Sequence, residues 1–246
     1  MKQILLFASL LLTITSFAQT SGNDGSLLKK AGGILGKVKG GGKSSLSNED
    51  VVAGLKEALS VGAQNSSSKL SAVDGFFANA AIKVLMPEEA KKVENTLRNA
   101  GFGNMVDKAI LSMNRAAEEA SKSAAPIFID AIKGMSIQDA FGILKGNDTA
   151  ATSYLKGKTI SPLTNAFRPV IEDALEKTNA TKHWEDVFNT YNKLPTTFKK
   201  VNTDLPGYVT ERALGGLFYQ VALEEQKIRN NPAARVSDIL RKVFGN

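Results

Sequence analysis

A carboxylate on the apolar stripe of a helix is the feature of this 246-residue sequence that most invites a chemical reading. Leu214, Leu217, Val221 and Ile228 recur at helical spacing near the C-terminus, and Glu224 falls on that stripe between Val221 and Ile228. An ionised carboxylate buried there without a partner is very costly, so Glu224 is expected within hydrogen-bonding reach of an arginine. The cations at hand are Arg115, Arg229 and Arg235. Glu225 and Arg229 stand four apart and can pair along their own helix. Asn114 and Glu118 stand four apart on a second helix, at the flank of its apolar seam. Two readings follow. One is a polar pocket where the two helices meet, with Glu224 or Glu118 as the base of a hydrolase or lyase. The other is a structural ion-pair network between packed helices, since perturbed ionisable groups occur in both settings.

Other chemistries find no support. The chain has no cysteine and one histidine, His183. Thiolate catalysis, disulfides and Cys-based metal sites are therefore excluded. A carboxylate-bridged di-metal site in a helical bundle needs Glu-x-x-His on two helices, and here Ala180 precedes His183 by three residues. There is no Gly-x-Ser-x-Gly elbow. Gly101-Phe102-Gly103 lacks the third glycine of a dinucleotide fingerprint. Gly42-Lys43-Ser44 ends like a phosphate loop, but position 37 is Lys and no strand precedes it. No metal and no cofactor is called for.

The elements that must position these residues are helices. Val106, Ile110, Met113, Ala117, Ala120, Ala124, Ile127 and Ala131 lie alternately four and three apart, the seam of a thin Ala-rich rod that other helices can approach closely. Pro126 should kink or divide it. Ser47 and Asp50 form a capping box for a helix to about residue 72, and Ser136 and Asp139 another for a helix ending at Gly146. Asp74-Gly75 marks a turn, Ala81 to Met86 a short extended piece, and Pro87 the start of a helix stopped at Gly101. Asp148 is expected to cap one short helix and Ser161-Pro162 to open the next, with Leu163, Phe167, Val170, Ile171 and Leu175 inward. Trp184, Val187, Phe188, Tyr191 and Leu194 mark a further helix. Pro206 opens the last long one, to about Arg229, and Ser237 caps a final turn. The expectation is an all-α, single-domain multi-helix bundle around the central Ala-rich helix, with at most one or two short strands.

The N-terminus has a different character. Lys2, the apolar run Ile4 to Ile14 and the small residues Ser16 and Ala18 form a signal peptide over residues 1–18, with cleavage expected before Gln19. Export to the periplasm, or secretion, follows. Residues 19–47 are a flexible segment rich in Gly, Ser and Lys. Its lysines, Lys29, Lys30, Lys37, Lys39 and Lys43, lie opposite Leu27, Leu28, Ile34, Leu35 and Val38, a pattern suited either to weak contact with an anionic membrane surface or to a solvated linker. The formal charge of +7 is concentrated here: Lys2 contributes one and the segment four, leaving +2 for the helical domain at 48–246. That domain has no basic stripe with interleaved aromatics, so nucleic acid is not expected as a partner.

Several ordered strings resemble a known family: GLKEAL (54–59), DGF (74–76), MNRAAEEA (113–120), DAFGILKGNDTAATSYL (139–155), YVTERALGGLF (208–218) and EEQKIRNNPAARVSDILRKVFG (224–245). From Leu46 to Asn246 the chain resembles the exported bacterial family known as domain of unknown function 4197. The resemblance implies one helical domain in the cell envelope and no stated activity. It maps the family's polar motif residues onto Asn114, Arg115, Glu118, Glu224, Glu225, Arg229, Asn230 and Arg235. Gly215 departs from the pattern, where the family often has an acid. The combined expectation is an exported binding or structural protein of the envelope, without evident catalytic machinery; its ligand and partners are not legible.

Overall fold

The computed structural model describes residues 47–193, 200–201, 203–231 and 241. The expected signal peptide, residues 19–46 of the basic segment and the final turn expected at Ser237 lie outside the described residues. Within them the protein is helical and contains no strand. The order is α1 (Asn48–Ser71), a 3-10 turn (Glu88–Ala90), α2 (Lys91–Asn99), α3 (Gly103–Ser121), α4 (Ala124–Lys133), α5 (Ile137–Lys145), α6 (Ala150–Glu176), α7 (Ala180–Asn192) and α8 (Leu205–Asn230).

Local chemistry sets most of the boundaries. Both capping boxes form: Ser47 accepts from the Asp50 N–H, Ser136 from the Asp139 N–H, and each aspartate accepts from its serine's N–H. Hydrogen bonds from the Ser136 hydroxyl and N–H hold the Asp139 carboxyl below its usual range. α2 ends in a Schellman motif. Gly101 takes φ +88°, its N–H bonds to the Arg98 carbonyl, and the Phe102 N–H bonds to Leu97. The piece from Ala81 to Met86 is irregular rather than a strand.

The Ala-rich rod is divided three to four residues before Pro126, into α3 and α4. α3 packs against α1, α2, α6 and α8, and its Ala116, Ala117 and Ala120 are 0% exposed. These methyl-sized side chains allow the close approach.

α6 corrects the sequence reading. One helix of 27 residues runs through both Pro162 and Pro169, where two short helices were expected. A proline in a helix interior costs about 3 kcal/mol, because a backbone hydrogen bond is lost and the ring crowds the preceding turn. Both prolines and the two residues whose carbonyls lose a partner, Lys158 and Asn165, are exposed, so water can bond those carbonyls. On the opposite face Leu155, Thr159, Leu163, Phe167, Ile171 and Leu175 form an unbroken buried stripe. Burial of an aliphatic or aromatic side chain contributes about 1.5–3 kcal/mol, so the five large ones outweigh the two prolines. α8 packs along α6 and starts at Asp204, whose side chain accepts from the Gly207 N–H. Gly216 gives α8 its closest approach, since a Cβ there would lie 2.5 Å from the ring of Phe76.

Candidate functional site

The polar residues singled out in the sequence separate into two groups, and no hydrogen bond or ion pair among the described residues joins them. The first group closes the turn after α1. Asp74 adopts φ +67°, and the main chain then presents two successive N–H groups inward. Glu118 Oε1 accepts both, from Phe76 at 3.1 Å and Phe77 at 3.2 Å. Its Oε2 accepts from Arg115 Nη1 at 2.6 Å, and Arg115 Nη2 donates to Asp74 at 2.7 Å. The hydrogen bonds to Glu118 and then Asp74 raise the guanidinium above its already high value. Asn114, one residue earlier, is fully buried and serves the irregular 81–86 piece. Its Oδ1 accepts from the Val84 N–H at 2.9 Å while its Nδ2 donates to the Val84 carbonyl at 2.8 Å. The amide thus pairs with Val84 as a neighbouring strand would, which explains how that piece stays ordered without a sheet.

The second group corrects the expectation for Glu224. The buried carboxylate of α8 is Glu225, and Arg229 is its partner at 2.8 Å. Glu225 also receives the Ala151 N–H at 3.0 Å, the Thr152 N–H at 2.8 Å and the Thr152 hydroxyl at 2.8 Å. α6 has no capping side chain of its own, so Asp148 does not act as the expected cap. Glu225 takes that place from a distant part of the chain, with its negative charge at the positive end of the α6 dipole. Arg229 Nη2 also donates to the Ile143 carbonyl in the last turn of α5. Glu224 faces a different environment. Its Cβ lies against Gly62, and its carboxylate meets Asn65 at 3.5 Å, Gln220 at 3.4 Å and Lys227 at 3.7 Å. It has no arginine. Asn230 is exposed at the end of α8, and Arg235 and the five lysines of the basic segment lie outside the described residues.

These acids have little room for catalysis. The oxygens of Glu118 and Glu225 are occupied by main-chain N–H groups and arginine, the arrangement of a structural brace. Among the described residues, no group of three or more His, Cys, Asp or Glu side chains is placed to hold a metal ion.

The cavities lie elsewhere. A largely apolar one of about 250 Å³ is walled by Val93 and Leu97 of α2, Met105 and Val106 of α3, and Trp184 and Phe188 of α7. Lys108, Ser112 and His183 stand among its lining residues. Trp184 and Phe188 are tilted against each other with centroids 4.5 Å apart. α2 is strongly amphipathic yet buries none of its residues completely, so it forms a thin wall. A second, more polar groove of about 620 Å³ runs between α6 and α8, past Lys156, Arg212, Gly215 and Tyr219. A Cβ at Gly215 would meet nothing within 4 Å, so this position faces open space. Trp184 and Phe188 are themselves buried in the core, and the spacing of residues in the sequence carries no signal of the space beside them.

The chain belongs to the family described as Protein of unknown function (DUF4197), whose model matches residues 45–245. No curated protein and no solved structure matches it.

Proposed function

We propose that this chain is an exported protein of the cell envelope that binds the apolar part of a ligand between α2, α3 and α7, and that its buried carboxylates brace the fold rather than catalyse. One observation carries the reading. Every oxygen of Glu118 and Glu225 is engaged by the fold, whereas apolar side chains from three helices line an open cavity without filling it. Concave apolar surface with a few polar groups at its edge is the usual form of a small-molecule site. Export is supported by Lys2, the Ile4 to Ile14 run and Ser16-Phe17-Ala18; N-terminal sequencing of the chain from the envelope fraction should begin at Gln19.

Trp184 is the only tryptophan and lines the cavity, so its emission reports occupancy directly. Titration with 1-decanol, an uncharged single-chain probe, should give a saturable shift of that emission. Native mass spectrometry of the protein taken from the envelope should show a retained small molecule. An unresponsive Trp184 and a bare mass would together reject the reading. The basic segment at 19–47 is assigned weak contact with anionic membrane, tested by flotation with anionic vesicles at low and high salt.

A further inference from the structure

We infer that the ligand of the α2, α3 and α7 cavity is a single-chain amphiphile with an anionic head; this rests on the binding function proposed above. The walls define the tail. Val93, Leu97, Met105, Val106, Trp184 and Phe188 offer no charge and almost no hydrogen-bonding capacity. About 250 Å³ is the scale of one short alkyl chain.

The edge defines the head. The charged side chains lining the cavity are Lys108 and Glu94, with His183 as a third polar group. Glu94 is held by Arg98 at 2.9 Å, and Arg98 in turn reaches Asp107 at 2.8 Å. Glu94 and Asp107 thus share one guanidinium, which orients both carboxylates toward Arg98. Lys108 is exposed and makes no ion pair among the described residues. Ser112 stands one turn further along the same face of α3, and its hydroxyl can donate to the same head group. An apolar trough with an uncommitted cation and a hydroxyl on its edge complements a carboxylate or a phosphate monoester at the end of an alkyl chain. A cationic head would meet Lys108.

The test follows Trp184 emission in the chain purified after export, with octanoate, decanoate, decyl phosphate, 1-decanol and decyltrimethylammonium, all below micellar concentration. Affinity should rise about fourfold per methylene until the trough is full, the equivalent of about 0.8 kcal/mol each. Decanoate should bind about threefold to fivefold more tightly than 1-decanol, the size of an exposed ion pair. Decyltrimethylammonium should bind more weakly than either. Lys108→Glu should abolish the advantage of decanoate over 1-decanol. Equal binding of decanoate and 1-decanol, or an unaltered preference in Lys108→Glu, overturns the anionic head while leaving the apolar site standing. Failure of every probe, 1-decanol included, overturns both. So does a concentration-dependent dimer by sedimentation that buries Trp184, because the trough would then be a contact surface between copies. Decanoate and decyl phosphate separate carboxylate from phosphate as the preferred head.

Discussion

The interior around Glu225 and the corner around Trp184 use their side chains in opposite ways. At Glu225, polar atoms are buried and all are matched: three donors from the start of α6, and Arg229 extending on to the end of α5. At Trp184, apolar atoms from α2, α3 and α7 are brought together and left with space between them. The first arrangement fixes three helix ends and leaves no capacity over. The second buries Trp184 and Phe188 in the core and still leaves space beside them. A charged residue at a core position can thus serve to tie helix ends together.

The contrast can be broken first at Glu225. Removing one partner of a buried pair costs about 3–5 kcal/mol, and here the N-terminus of α6 is uncapped as well. Glu225→Ala should lose at least that much in denaturant titration, and Glu225→Gln, which keeps the shape, should lose less. A variant that kept full stability but no longer bound amphiphile would reverse the assignment of the two regions. Next comes the rod. Ala117→Leu and Ala120→Leu each force new volume into a filled interior and should cost about 1–3 kcal/mol by the same measurement.

A third prediction concerns acid. Arg168 pairs with both oxygens of Asp204, at 2.9 and 3.0 Å, and this pairing above all holds the Asp204 carboxyl below its usual range. A carboxyl depressed in the folded state stabilises it above the unfolded value of about 3.9, and the benefit disappears as pH falls through the folded value. Both partners are substantially exposed, so the contribution of the pair is about 1 kcal/mol or less. Asp204→Asn should lower stability at neutral pH and flatten the decline between about pH 5 and pH 2, because that part of the pH dependence would be gone.

The smallest effects sharpen the comparison most. Glu224→Ala removes a carboxylate whose cation is 3.7 Å away, so it should cost less than about 1 kcal/mol, against the far larger loss at its neighbour. Met105→Ser, at a side chain 44% exposed on the cavity wall, should change stability by no more than about 0.5 kcal/mol yet weaken decanoate binding. Fluorescence titration beside thermal melts separates the two effects.

What could be read in advance was local. Ser47 with Asp50, Ser136 with Asp139, and Gly101 each act on chain within a few residues of themselves, and all three behave as their spacing indicates. The Ala-rich seam was equally legible, because its period alone places Ala117 and Ala120 inside. Pro162 misled for the converse reason. Its local cost is real, but it is outweighed by a buried stripe whose partners, α3 and α8, are remote in sequence. Glu224 and Glu225 could not be told apart by spacing, since three and four residues beyond Val221 both fall on the inner face. What separates them is the open end of α6, over 70 positions earlier. The cavity was invisible because Val93, Met105 and Trp184 look like core residues until the elements carrying them are placed.

The cap that Glu225 supplies to α6 has a consequence for how the chain is made. Synthesis proceeds from the N-terminus, so Ala151 and Thr152 emerge well before the carboxylate that will bond them. Until α8 exists, the long middle helix lacks both its cap and one of its two main packing surfaces. A nascent chain of this protein is thus kept from completing its fold until α8 has been made, as expected where contacts distant in sequence finish the structure.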